Sequence, residues 1–308
     1  SSSLISARPA DSRTTDAGPV HSIGGYSDTE YLINQLNLGI ATNLSAIGSE
    51  VNTNIGQGFG VAVSYPLYAQ LQRNDGLINT VANDGETCDG NYTSLACQPS
   101  LPAQVYTALS ARDLSGGVDA SLFGGPVGGV VQFARRAITS GTQSIAELYF
   151  LNRPCATGKP TGALAPTRAA DSTPTFVVVE HPGTGGVRTA LNTATGNNQF
   201  GIGLVSLENV PAPTATADRW AYVRLNGVTP NLADSMHRLE AMRGNYNLWY
   251  ELVAFTAATA PLQGVDLLGA INASMANPEL TNLRGLFLTP LAGVTGHNVG
   301  TGARFGNY

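Results

Sequence analysis

Residues Val130–Cys155 read VVQFARRAITSGTQSIAELYFLNRPC. An apolar run closes on two arginines, Arg135 and Arg136, then a Thr-Ser-Gly-Thr turn leads into helical spacing. The run predicts a strand around 130–134, and the spacing predicts a helix around 142–152. A helix N-terminus carries unpaired N–H groups and about half a positive charge. A hydroxyl there can cap the helix or hydrogen-bond an anion, and glycine lets a ligand approach the backbone. Arginine at the end of the preceding strand adds a planar fork of donors. Arg136, Ser140, Gly141 and Thr142 together therefore suit a tetrahedral anion. They also suit a plain reading, with Ser140 or Thr139 as an ordinary cap and the arginines solvated or paired with acids.

The same strand-turn-helix order recurs. TFVVVEHPGTGGVRTALNTAT, residues 175–195, is a second unit. Its turn lacks the Gly-Lys-Ser/Thr ending of a phosphate loop and the spacing of a dinucleotide fingerprint, so Gly183, Gly185 and Gly186 read as a tight turn lining a cleft. FGVAVSY (59–65) reads as a buried strand, FGIGLVSL (200–207) as another, and NLWYELVAFT (247–256) as a strongly β-prone one. RWAYVRLNGV (219–228) runs into an Asn-Gly turn. Helices are expected from Asp28 as a cap, from Pro66 at a first helical position, and from Ser100 as a cap. Two more are expected over 231–244, ending at Gly244, and over 261–275. IGSEVNTNIGQG (47–58) reads as irregular, residues 1–22 as loop, and LRGLFLTPLAG (283–293) as a last apolar segment. Strands alternating with helices predict an α/β fold with mainly parallel pairing.

The chain has 308 residues, and 43% of them are hydrophobic, enough for one large domain or two lobes around a sizeable core. Charged residues are only 12%, so hydroxyls and amides keep the surface wet, a composition common in exported bacterial proteins. The net charge of −5 argues against nucleic-acid binding, which needs a basic stripe. Any anion site must be local. No run approaches the roughly 20 apolar residues of a membrane span. His21, His181, His237 and His297 lack metal-ligand spacing, and no nucleophile elbow appears, so no catalytic or metal residue and no cofactor is assigned. Glu147 and Glu180 read as isolated acids. Cys88 and Cys97 bracket a short polar loop, which reads as a disulfide in an oxidising compartment or as two reduced thiols. Cys155 is left over.

The motifs occur in a familiar order. RRAITSGTQSIAELYFLN (135–152) resembles the Arg-x-x-x-Ser-Gly-Thr signature of PstS-like phosphate-binding proteins, which are type 2 periplasmic solute-binding proteins. GFGVAVS (58–64) resembles their hinge strand, and GTGGVRTALN (183–192) their Gly-x-x-Gly-Val loop. FGIGLVSLENV (200–210) resembles the returning strand, YVRLNGVTPN (222–231) the segment after it, and NLWYELVAF (247–255) the late aromatic strand.

The resemblance implies a two-lobed α/β fold with crossing hinge strands and an anion held in the cleft. Residues 1–60 and 204–308 would form lobe 1, and 61–203 the inserted lobe 2. It places Arg136, Ser140, Gly141 and Thr142 on the anion motif. Adjacent strand residues point to opposite faces, so Arg135 should face elsewhere. Ser27 and Asp28, in GGYSDTEY, fall on the family's Ser-Asp segment, whose Asp accepts a proton from phosphate. Two departures stand out. The family's first βαβ unit has no counterpart ahead of Ser27. No acid occupies Ala137, Ile138 or Thr139, where phosphate binders often carry one.

The expected function is a non-catalytic, periplasmic or extracellular bacterial binding protein for phosphate or a related oxyanion, serving the membrane subunits of an ABC transporter. The alternative is a structural or surface-assembly protein on the same fold, completed by a strand or segment from another chain.

Overall fold

The computed structural model describes residues 23–39, 43–78, 87–113, 116–153, 164–211, 218–230, 240–241, 244–275 and 286–288. Ten strands and six α-helices are defined among them. They are β1 (Gly24–Ser27), α1 (Tyr31–Leu38), β2 (Gly48–Ser64), α2 (Tyr65–Asn74), β3 (Ser100–Leu101), α3 (Ala103–Ser110), β4 (Val131–Arg136) and α4 (Gly141–Leu151). Then come β5 (Phe176–His181), α5 (Thr184–Gly196), β6 (Phe200–Ser206), β7 (Trp220–Tyr222), β8 (Arg224–Leu225), β9 (Trp249–Ala257), α6 (Leu262–Met275) and β10 (Leu286–Leu288).

Eight of these strands share one sheet, in the order β1-β9-β2-β6-β4-β5, with β7 and β10 also paired to β2. β2 organises it. Its first part, from Gly48 to Gly58, runs antiparallel to β9, and its last part, Phe59–Val63, runs antiparallel to β6. One 17-residue strand thus ties the β1–β9 side to the β4–β6 side. The segment 47–58, expected to be irregular, is strand from Gly48 onward. Asn and Gly have little intrinsic strand preference, but β9 is rich in aromatic and β-branched residues and supplies the ladder. The register slips between Asn52 and Gly56, where that low preference shows.

Pairing is mixed rather than mainly parallel. β4 is parallel to both β5 and β6, and β3 to β8, whereas every pair made by β2 or β9 is antiparallel. The parallel part is the βαβ region of residues 131–206, where crossover helices make parallel pairing natural. Its core packs Phe133 and Phe176 together, with Tyr106 and Phe150 on one side and Val187 and Leu191 from α5. Asn226 and Gly227 take the left-handed conformation, with φ of 50° and 84°, and Leu225 and Val228 exchange both backbone hydrogen bonds across them. This is the two-residue hairpin turn that Asn-Gly predicts.

Two helix starts differ from expectation because their caps come from distant chain. Ser100 lies in β3, and the Asn226 side chain accepts from Ala103 N at 2.8 Å to start α3. α1 begins at Tyr31, with no side-chain bond from its own N-cap residue Glu30. The Glu50 carboxylate on β2 accepts from Tyr31 N instead. Burial pushes this carboxyl up from its ordinary 4.5 to about 7, against the Tyr31 bond and with help from Glu30. A raised folded-state value means that the buried charge costs stability fully above pH 7 and not at all below 4.5. Glu50→Gln keeps the acceptor and removes the charge. Its melting temperature relative to wild type should therefore climb as pH rises from 4.5 to 7, and a difference that stays flat over that window would count against the assignment.

The Cys88–Cys97 disulfide is formed. Gln72 Nε2, from α2, donates to Cys97 O at 2.9 Å and so ties the loop to that helix. Cys155 and residues 1–22 lie outside the described residues, as does the expected helix over 231–244 apart from residues 240–241 and Gly244.

Candidate functional site

β4 ends at Arg136, and α4 begins five residues later. Ser140 is the N-cap of α4, with extended φ and ψ of −86° and 133°, but its hydroxyl makes no cap bond. Its carbonyl accepts from Gln143 N and Ser144 N, both at 3.0 Å. Ser140 Oγ is buried with no partner, so the plain cap reading does not describe it. Gly141 and Thr142 follow as first-turn residues whose N–H groups have no acceptor within the helix.

The two arginines diverge as the pleat requires. Arg136 Nη1 donates to Thr184 Oγ1 at 2.8 Å, and Nη2 to Pro182 O at 2.9 Å, while its Nε is buried without a partner. Burial pushes the guanidinium below its ordinary value, opposed by Asp28 and Glu208. Arg135 faces the other way. It donates to the Thr167 carbonyl and, through Nη2 at 3.2 Å, to Glu147 Oε1. Glu147 is not isolated: Arg153 and Arg168 also stand 3.6 and 3.7 Å from its carboxylate. Glu180 lies 4.0 Å from Arg135 Nε. Those partners come from β4, from just past the end of α4 and from the loop before β5, which local sequence around each acid does not reveal.

Asp28 is not the cap of α1. Its carboxylate lies on the start of α4, where Thr142 Oγ1 donates to Oδ2 at 3.3 Å. Gly141 makes the approach possible, because a Cβ there would stand 2.9 Å from both Asp28 Cβ and Oδ2. Asp28 is 6% exposed, and burial raises its carboxyl, with Glu208 adding and Thr142 and Arg136 opposing. A second contact joins the same segments: Ser144 Oγ donates to Asn34 Oδ1 at 2.8 Å. Ser27 takes no part in this cluster. Its hydroxyl accepts from Thr29 N and Asn34 Nδ2 within its own segment. The structure thus gathers Asp28, Arg136, Ser140, Gly141 and Thr142. It adds Thr184, the first residue of α5, which the Gly-rich stretch hid as one polar residue among turn residues.

Chemically, the cluster offers a guanidinium with an unspent Nε–H, a buried unspent hydroxyl, and helix N–H donors, facing one carboxylate. That set suits an anion able to accept several hydrogen bonds and donate one. Among the described residues no group of His, Cys, Asp and Glu is arranged to hold a metal, and no helix is long and apolar enough to cross a membrane.

No family model matches the sequence, and comparison with curated proteins finds no match. Solved structures do match. A protein described as a phosphate ABC transporter substrate-binding protein from Clostridium perfringens, with bound phosphate, aligns over 87% of this chain and 80% of its own, at a TM-score of 0.50 and 12% identity. This chain shares that structure's fold. An ABC-type phosphate transport receptor from Vibrio cholerae aligns over 82% of this chain and 80% of its own, at a TM-score of 0.43 and 13% identity. The likeness extends over most of both chains. At such identity it speaks for architecture, and the anion chemistry rests on the residues themselves.

Proposed function

We propose that the chain is an extracytoplasmic, non-catalytic binding protein for phosphate or a related oxyanion, handing it to the membrane subunits of an ABC transporter. The observation that carries this reading is the pair of buried, unpartnered donors, Arg136 Nε and Ser140 Oγ, at a helix start that meets the Asp28 carboxyl. On this reading, residues 1–60 and 204–308 form the lobe that brings Asp28, and residues 61–203 form the lobe that brings Arg136 and α4. Ligand binds where the two meet. Asp28 supplies the acid that Ala137, Ile138 and Thr139 lack. An oxyanion carrying a proton donates to it, whereas sulfate, without one, meets repulsion. The Cys88–Cys97 disulfide supports a periplasmic or extracellular location.

Calorimetric titration tests the reading. Phosphate at neutral pH is expected to bind with a dissociation constant around micromolar, about −8 kcal/mol, and sulfate at least about tenfold more weakly, the effect of a single unfavourable charge contact. No heat with either anion would sink it. The second reading, assembly through an exposed sheet edge, draws on β1. Among the described residues that strand lies at the end of the sheet order, next to β9, and Leu32 and Leu36 of α1 are exposed. A strict monomer on size analysis of the same sample would remove it.

A further inference from the structure

A guanidinium has five donors in a fixed plane, so the atoms that hold two of its nitrogens set the direction of the third. In Arg136 the two terminal nitrogens are held by a single turn, that between β5 and α5: Nη1 by Thr184 Oγ1 at 2.8 Å, and Nη2 by Pro182 O at 2.9 Å. Both acceptors are neutral. Among the described residues, no carboxylate oxygen lies within the 4.0 Å of an ion pair with Arg136. The charge is therefore oriented without being neutralised, and Nε–H remains unspent.

Thr184 is suited to this in a way that its neighbours are not. It is the first residue of α5, is 8% exposed, and is fixed to the fold by its helix. Its hydroxyl oxygen can accept from Nη1 while the hydroxyl proton stays available. The Pro182 carbonyl alone would leave the guanidinium plane free to turn about one bond.

We infer that Thr184 is a positioning residue for oxyanion binding, holding Arg136 Nη1 so that the guanidinium is aimed and fully charged when an anion arrives. This inference rests on the oxyanion reading above. It adds a residue from a second helix start to a site that the motif alone places on one.

The test is phosphate titration of wild type, Thr184→Val and Thr184→Ser, with a thermal melt of each. Valine keeps the shape and removes the acceptor; serine keeps the acceptor. Thr184→Val should weaken phosphate binding by about tenfold to a hundredfold, the worth of a hydrogen bond to a charged group, and Thr184→Ser should bind like wild type. A role confined to starting α5 would shift the melts and leave affinity alone. Should the valine variant not fold, Thr184→Cys takes its place, because a thiol is a poor acceptor. If wild type binds phosphate and Thr184→Val binds equally well, Thr184 does not position Arg136. If wild type itself does not bind, the oxyanion reading fails and takes this inference with it.

Discussion

Arg136→Ala is expected to weaken phosphate binding by at least about a hundredfold while leaving the melting temperature close to that of wild type. The binding loss follows from the number of bonds removed. Arg136 is the charged donor of the cluster, and charge-assisted hydrogen bonds are worth about 1.5–3 kcal/mol each, so two of them account for a factor of a hundred or more. The small stability effect follows from its surroundings. Arg136 is 3% exposed, is held by neutral oxygens, and has its ionisation opposed by burial. A buried cation with no ion-pair partner among the described residues costs the folded state something, and removing that cost offsets the loss of its hydrogen bonds to Thr184 and Pro182. Arg136→Lys should not rescue binding, because an ammonium presents its donors from a single nitrogen and cannot span Thr184, Pro182 and an anion as the planar fork does. Calorimetry and a melt on each variant check this. Near-wild-type affinity in Arg136→Ala would remove Arg136 from the site.

The contrast between legible and hidden features has a common physical cause. The β4-turn-α4 unit could be read because every signal in it is local: a β-prone run, a hydroxyl at the cap, glycine after it, helical spacing beyond. The opposite facing of Arg135 and Arg136 follows from the pleat alone. The Asn-Gly hairpin and the Cys88–Cys97 disulfide were local in the same sense. What was misread depends on partners far away in the chain. Residues 48–58 are strand because β9, some 200 residues on, offers a ladder. Asp28 looked like a cap for the helix beside it, but its carboxylate belongs to α4, more than a hundred residues away. Its place at the start of α4 was legible only through the family resemblance. Glu147 looked alone because all three of its arginines come from beyond its own helix. Thr184 was hidden because a threonine among glycines has no pattern of its own, and only the arginine pointing at it gives it meaning.

That same Glu147 carries the largest expected loss of stability. It lies on α4 at 2% exposure, and its Oε1 accepts from Arg135 Nη2 at 3.2 Å and Gln143 Nε2 at 3.4 Å. Arg135 is equally buried, and burial, with nearby Arg168, pushes its guanidinium below the ordinary value, while Glu147 and Glu180 oppose that shift. Three arginines thus converge on Glu147. Glu147→Gln keeps the size and removes the charge. Among the described residues, it leaves Arg135 in the interior with only the more exposed Glu180, at 4.0 Å, as a counter-charge. Breaking a buried pair from one side costs about 3–5 kcal/mol, mostly the penalty of the orphaned charge. In a chain of this size that lowers the melting temperature by roughly 10 °C. The double variant Glu147→Gln with Arg135→Met should recover much of the loss, because it removes the orphan as well. The arginines at 135 and 136 are neighbours with opposite tasks, so below its melting transition Glu147→Gln should bind phosphate as wild type does. A Glu147→Gln chain that melts with wild type would show that the cluster contributes nothing to stability. A double variant less stable than the single would show that Arg135 is held by its carbonyl bonds to Thr167 and Arg136 rather than by Glu147.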